Sequence, residues 1–344
     1  MTEPATETVP DFARGTINLA SARLGAIGLS STDEFFAPLE RMLKDEPAEF
    51  IPGLYDDNGK WMDGWESRRK RVPGHDHAVI RLAMPGRIFG FDIDTSHFTG
   101  NYPPHASIEA ASLESGDPDE ATQWTEILAK TPLGSSQHNF KEIDDPRQSQ
   151  TVWTHLRLHI YPDGGVARLR VYGAAHFDWS KVGADEEVDL AYVFHGAQAL
   201  AWSDAHYGAP ERMLGPGRGV NMGDGWETAR RRGPGHDWAI LRLGHAGRIQ
   251  RIVVDTAHFK GNFPDTCELF GAYLPDHVGD LSESEIAASA DWQPILSRTK
   301  LSADHVHEFT GDSIQSGEPV THVRFNIHPD GGVSRLRLFG TKAG

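Results

Sequence analysis

The stretch Val323-Arg324-Phe325-Asn326-Ile327-His328-Pro329-Asp330-Gly331-Gly332-Val333-Ser334-Arg335-Leu336-Arg337-Leu338-Phe339-Gly340 decides the fold. Val323, Phe325 and Ile327 alternate with polar residues, the period of two that half-buries a strand. Pro329-Asp330-Gly331-Gly332 is turn chemistry, with glycines free to take positive φ. Alternation resumes at Val333, runs to Phe339 and stops at Gly340. The pattern predicts two strands joined as a hairpin. It occurs once more, as Leu156 to Ile160, the turn Pro162-Asp163-Gly164-Gly165, and Val166 to Tyr172.

That recurrence belongs to a longer one. Asp63-Gly64-Trp65-Glu66 returns 161 residues later as Asp224-Gly225-Trp226-Glu227, and Pro73-Gly74-His75-Asp76 returns at the same spacing as Pro234-Gly235-His236-Asp237. Asp94-Thr95, His97-Phe98 and Gly100-Asn101 return as Asp255-Thr256, His258-Phe259 and Gly261-Asn262. Upstream, Glu40-Arg41-Met42-Leu43 matches Glu211-Arg212-Met213-Leu214 at a spacing of 171, and the turn blocks match at 167. The spacing changes only between blocks, as insertions in loops produce. Two units of this length are too few and too long for a solenoid. The chain is a tandem duplication with its junction near residues 177–187, and domains are expected at 15–176 and 187–341.

Within each copy, apolar runs bounded by glycine, such as Ala239-Ile240-Leu241-Arg242-Leu243 and Ile252-Val253-Val254-Asp255, read as further short strands. Helix is expected only at residues 31–43 and 282–290. The expected class is all-β: two tandem jelly-roll β-sandwich domains with few short helices. The closing Arg-Leu-Arg-Leu-Phe-Gly strand resembles the last strand of galactose-binding-like jelly rolls, and the jelly-roll part of the expectation rests on that resemblance.

Bulk properties narrow the function. A net charge of −16 repels phosphate backbones, so no nucleic-acid partner is expected, although a local Arg cluster can still receive a small anion. No apolar run approaches the roughly 18 residues that span a bilayer, so no membrane partner is expected. Residues 1–11 lack the charged start and apolar core of a signal peptide, and a cytoplasmic location follows. The single cysteine, Cys267, has no partner for an internal disulfide and reads as a small buried apolar residue.

Three clusters recur in both copies. Asp63-Gly64-Trp65-Glu66 is followed by Arg69, Lys70 and Arg71, and Asp224-Gly225-Trp226-Glu227 by Arg230, Arg231 and Arg232. A carboxylate, an indole and three cations can build an anion pocket, because Arg grips a carboxylate bidentately. The alternative is a charged loop whose Trp plugs the core. Second, Gly74-His75-Asp76-His77 matches Gly235-His236-Asp237-Trp238. His-x-His on a strand puts both rings on one face, a spacing metals use, but Trp238 breaks it in the second copy. An Asp–His hydrogen bond in a turn and a general acid or base are the other readings. Third, Asp94 with His97, and Asp255 with His258, can form proton-transfer pairs beside the Gly-Asn turns, against a bland carboxylate-capped loop. No P-loop, GxSxG elbow, HExxH or Rossmann fingerprint occurs. No residue is assigned to a metal and no cofactor is called, although eighteen histidines leave a divalent metal open.

Together these clusters resemble the allantoicase (allantoate amidinohydrolase) family. Asn18-Leu19-Ala20 and Thr32-Asp33-Glu34-Phe35-Phe36-Ala37 fit as well, and the likeness runs from about Asn18 to Gly340 and includes the duplication. Glu34 has no carboxylate counterpart in Asp204-Ala205-His206-Tyr207. The resemblance implies a hydrolase that converts allantoate to (S)-ureidoglycolate and urea in allantoin and purine degradation, and a homo-oligomer. The expected catalytic residues are Glu66, His75, Asp94, His97, Glu227, His236, Asp255 and His258. The expected substrate-binding residues are Trp65, Arg69, Arg71, Asn101, Trp226, Arg230, Arg232 and Asn262. A tandem sugar-binding protein is the rival reading, and it calls for aromatic residues on open surfaces rather than beside Arg and Asp.

Overall fold

The computed structural model describes residues 10–13, 15–274, 291–315 and 317–343. The chain divides into two compact units, Met1–His176 and Phe177–Gly344. Each is built on one eight-stranded antiparallel arrangement.

In the first unit the spine is the 19-residue strand Asp76–Asp94. Burial alternates along its first half, so Ala78, Ile80, Leu82 and Met84 enter the core while His77, Val79 and Arg81 turn outward. That first half pairs with Ile27–Ser31 on one side and Val152–Tyr161 on the other. The second half pairs with Phe140–Glu142 and Arg168–Ala175. Its two ends therefore have different neighbours, and one strand serves both layers of a sandwich. Beyond Val152–Tyr161 lie His105–Ala111 and then Thr125–Pro132. The second unit repeats the scheme around Asp237–Asp255, flanked by Gln198–Trp202, Val320–His328, Val306–Thr310 and Arg335–Lys342. The architecture is all-β, as the alternation predicts.

Trp65, Phe91, Phe98, Leu156 and Leu158 fill the first core and Trp226, Phe259 and Phe325 the second, all essentially unexposed. Each such side chain contributes about 1.5–3 kcal/mol on burial. Cys267 lies among them, and burial pushes its thiol up to about 12, which leaves no thiolate to act as a nucleophile.

A buried ion pair ties each core to its loops. Arg168, 1% exposed, donates to Asp63 Oδ2 at 2.5 Å and to the carbonyls of Arg41, Glu46, Pro47 and Asp63. Arg335 holds Asp224 in the same way at 2.6 Å. The carboxylate that opens the Asp-Gly-Trp-Glu motif is therefore committed to structure.

Three local expectations are corrected, and a fourth is not tested. Val152–Tyr161 and Arg168–Ala175 do not pair with each other. Gly165–Val166, just after the turn, crosses to pair with Trp65–Glu66, so the turn joins two layers rather than a hairpin. Gly164 makes that turn possible at φ 136°, where a Cβ would lie 2.7 Å from the Asn101 carbonyl oxygen. Second, the runs at 239–243 and 252–255 are parts of one strand, Asp237–Asp255, which continues through Gly244 and Gly247. Gly247 is needed for close approach, since a Cβ there would sit 2.8 Å from the Thr341 carbonyl oxygen. Third, residues 31–43 form no helix beyond the 3-10 turn Leu39–Leu43. Ser31 is still paired with Ala78, and the extended Pro38 opens the turn. Glu34 closes that segment by accepting from Leu39 N at 3.1 Å. Fourth, the helix expected at 282–290 lies outside the described residues.

Candidate active site

The motif residues separate into those that hold the fold and those that face solvent. Trp65 and Trp226 are wholly buried, and each Nε1–H donates at 2.9 Å to a backbone carbonyl, of Asp33 and Asp204 respectively. They plug the core and offer no surface to a substrate, which corrects their assignment as binding residues. Their two-residue strands pair inward with Val166 and Val333.

The expected Asp94–His97 pair is not formed. Asp94 Oδ1 accepts from Ser96 N at 2.7 Å. His97, at φ 69°, turns away and donates from Nε2 to the Ala48 carbonyl at 3.0 Å, stacked on Phe50. In the second copy Asp255 accepts from Ala257 N at 2.8 Å and pairs with Arg218 at 3.2 Å, while His258, at φ 72°, donates to the Gly219 carbonyl at 2.7 Å. These two histidines fasten loops, and the left-handed backbone aims their rings away from the carboxylates.

Glu66 and Asn101 do come together. Asn101 Nδ2 donates to Glu66 Oε1 at 2.6 Å, and Asn262 donates to Glu227 in the second repeat. Glu66 is 8% exposed, and burial raises its carboxyl above the ordinary range against the opposing pulls of Asn101 and Lys60. Of the basic triplets, the middle residue folds back: Lys70 pairs with Asp76, and Arg231 with Asp237. Arg69, Arg71, Arg230 and Arg232 remain exposed on residues 67–75 and 228–236.

The same contact settles Asp76, which Lys70 and Thr32 Oγ1 hold on the inner face. His75 instead turns to a strand outside the motif. Its Nε2 lies 2.9 Å from His159 Nδ1, and His159 Nε2 lies 2.8 Å from Glu109 Oε2. Arg157 grips the same Glu109 oxygen, with contacts of 2.6 and 2.7 Å. Burial works to raise the Glu109 carboxyl, but the hydrogen bonds from His159 and Arg157 outweigh it and hold the group low and ionised. An ionised carboxylate only accepts, so the proton sits on His159 Nε2. In the neutral form of His159, Nδ1 then accepts, His75 Nε2 donates, and the free lone pair is on His75 Nδ1. Burial, followed by the neighbouring His159, Lys70 and Lys130, lowers the His75 pKa despite the opposing Asp76, which keeps the ring neutral.

His75, at the end of this relay, adjoins Gly74 and Tyr161, which with Pro104, His105, Lys130 and Pro162 line a cleft of about 350 Å³. Ligand pockets run from about 300 to 1,000 Å³, so it suits a small metabolite. The His75 ring lies 4.4 Å from the Tyr161 ring, over which Lys130 Nζ sits at 4.2 Å. His77, on the same outward face, has its ring 5.5 Å from His159.

The second repeat is built differently at this place. His236 lies with its ring 4.4 Å from that of His328, and His328 Nε2 donates to Glu268 Oε1 at 3.0 Å. Burial and the neighbouring His328 and Arg324 keep His236 below the ordinary imidazole range. Register explains the change. Tyr161 is the counterpart of His328 and Ser107 that of Glu268, because His159 faces Ser107 as Asn326 faces Glu268. The histidine–carboxylate pair has moved two residues, one pleat, along both strands.

Sequence reasoning missed Glu109, Lys130, His159 and Tyr161, and in the second repeat Glu268 and His328. The outward positions of residues 156–161 were visible as an alternation. What they meet across the sheet depends on a register that one strand does not specify.

The chain is similar to known proteins along nearly its whole length. A family model, "Allantoicase repeat", matches residues 17–176 and again 188–343. A "Probable allantoicase" of Rhizobium meliloti (strain 1021) is 57% identical over 339 residues, 98% of each chain. One from Stutzerimonas stutzeri (strain A1501) is 56% identical, covering 94% of this chain and 96% of its own. Among solved structures, an allantoicase from Saccharomyces cerevisiae superposes with a TM-score of 0.79 at 36% identity, covering 95% of this chain and 93% of that one.

Proposed function

The chain belongs to the allantoicase family, and from that premise we propose that it works at the cleft of the first repeat, with His75 as the proton-transfer group. It is a hydrolase that converts allantoate to (S)-ureidoglycolate and urea, a step of allantoin degradation. Allantoate carries a carboxylate and two ureido arms on a central carbon. Hydrolysis breaks the bond from that carbon to one ureido nitrogen and joins the carbon to the oxygen of water.

His75 Nδ1 takes the proton that water loses, and the imidazolium returns a proton to the departing nitrogen. Urea then leaves uncharged and the ring ends neutral. Glu109, held by Arg157, and His159 fix the tautomer and stabilise the transient charge. Lys130 and the exposed Arg69 and Arg71 offer cations to the carboxylate. The observation that carries this reading is the hydrogen-bonded chain from Glu109 through His159 to His75, whose ring packs on Tyr161 of the cleft. Its test is urea release from allantoate by His75→Gln. The expected loss in kcat is on the order of 10²–10⁴-fold, with a Lys130→Ala effect mainly on KM. Full turnover by a folded His75→Gln protein overturns the assignment.

One observation favours a second reading: the Glu66–Asn101 pair recurs as Glu227–Asn262. A buried carboxyl with a raised pKa can serve as a general acid to the leaving nitrogen. Loss of turnover in Glu66→Gln with His75→Gln intact would move the site there. The family reading extends to a homo-oligomer in the cytoplasm, and light scattering of the purified chain tests the first part. Among the described residues no helix is long and apolar enough to cross a membrane.

A further inference from the structure

We propose that the second repeat carries a binding site for a divalent transition-metal ion, formed by His236, Glu268 and His328. Each of the three offers one ligand atom, and these atoms lie within 4.8 Å of one another. The separation of His328 Nε2 from Glu268 Oε1, 3.0 Å, matches two ligands about 90° apart, as in an octahedral site, on one ion with bonds of about 2.1 Å. His236 Nε2 is buried and has no hydrogen-bond partner among the described residues, an arrangement that costs free energy unless something meets it. Two imidazoles and one carboxylate make a donor set for zinc, manganese, iron or cobalt rather than for calcium or magnesium.

The surroundings fit the assignment. Asn326 Nδ2 donates to Glu268 Oε1 at 3.0 Å, and Arg324 Nε donates to Asn326 Oδ1 at 3.1 Å. This outer layer orients the carboxylate without consuming its charge. His236 and Glu268 are half-exposed, so an ion can enter and keep water on its open positions. The first repeat lacks the site for two reasons on the same strands. Tyr161 and Ser107 stand where His328 and Glu268 stand, and Glu109 is already neutralised by Arg157. Binding by the second repeat does not rest on the hydrolytic role of His75, so the two readings fail separately.

The test is titration of the untagged, chelator-treated full-length protein with Co²⁺ and then Zn²⁺. Visible absorption and calorimetry give geometry and stoichiometry. One Co²⁺ per chain, displaced by Zn²⁺, is expected, with affinity lowered at least tenfold in each of His236→Gln, Glu268→Gln and His328→Gln and unchanged in His75→Gln. Circular dichroism confirms that each variant is folded. Anomalous scattering from zinc-soaked crystals, with a peak between the three side chains, provides an independent readout. No binding, or binding that survives all three substitutions, overturns the proposal.

Discussion

Replacing Arg168 by Met should unfold the first repeat at a markedly lower temperature than the native protein. Arg168 is 1% exposed and makes its ion pair with a carboxylate that is itself buried. Breaking a buried pair by removing one partner costs about 3–5 kcal/mol, because the other charge is stranded. Here Lys44 Nζ still reaches Asp63 Oδ1 at 2.8 Å, and Glu49 N still donates to Oδ2 at 3.1 Å, so the lower end, about 3 kcal/mol, applies. Arg168 also holds the carbonyls of Arg41, Glu46, Pro47 and Asp63. Three of these lie where water can partly replace the guanidinium, so together they add about 1–2 kcal/mol. The total is about 4–5 kcal/mol, which for a unit of this size lowers Tm by about 10–15 °C. The assay is urea denaturation followed by Trp fluorescence, on Arg168→Met, Asp63→Asn and the double variant. The double variant should lose clearly less than the sum of the singles, since neither charge is then left alone. A loss below about 1 kcal/mol for Arg168→Met, or strict additivity, refutes the claim that this pair ties the loop at 41–63 to the last strand.

Other outcomes follow from single positions. Gly164→Ala should cost at least about 2 kcal/mol, because φ is 136° and a Cβ would lie 2.7 Å from the Asn101 carbonyl oxygen. Gly100→Ala, with nothing within 4 Å, should be nearly silent, and equal Tm values for the two would sink the argument. Burial, with Asp117 opposing, holds His155 below the ordinary imidazole value, and burial with His159 and Arg157 does the same to His77. Below pH of about 6.5 the unfolded chain takes up protons that the folded chain refuses. Stability present above that pH is therefore lost as pH falls through it. Tm should drop between pH 7 and 5.5, and a His155→Gln variant with the same slope would count against it. For the same reason the acid limb of kcat/KM should lie below about 6.5, since His75 is lowered by its burial and by the facing His159, Lys70 and Lys130 against Asp76. An acid limb at or above that value excludes His75 as the base.

What the sequence made legible was whatever repeats or alternates. The duplication needs only identity at a fixed spacing, and the all-β class needs only period two, as in Val323, Phe325 and Ile327. Two kinds of information were hidden. One is pairing: Val166 and Arg168 alternate like a hairpin arm, yet Gly165–Val166 pairs with Trp65–Glu66 and Arg168–Ala175 with Asp76–Asp94. The other is direction. Trp65 beside Arg69 looks like a binding cluster in one dimension. The peptide geometry sends the indole to the core and leaves the guanidinium exposed. His75 was legible as a candidate, but its partners His159 and Glu109 sit 84 and 34 residues away and meet it only through sheet register.

The two repeats show how little change separates a proton relay from a metal-ligand set. Both place a histidine just before the long strand, at His75 and His236, and both put a second imidazole against a carboxylate on the next two strands. In the first repeat that pair is His159 with Glu109, and Arg157 shares the carboxylate, so the donors are joined in line and end on one free nitrogen. In the second the pair sits one pleat along, as His328 with Glu268, and the arginine reaches no further than Asn326. The donors there converge instead of queueing. A line of donors moves a proton, whereas converging donors enclose an ion, and the difference lies in which side of the pair the arginine occupies. Placing an arginine's charge on Glu268 should therefore abolish Co²⁺ binding as effectively as removing His328. Asn326→Ala, which frees Arg324 to reach the carboxylate directly, makes that test with all three ligand residues in place, and it also removes the hydrogen bond from Asn326 to Glu268. Undiminished Co²⁺ affinity in that variant would show that the arginine's position does not decide between the two arrangements.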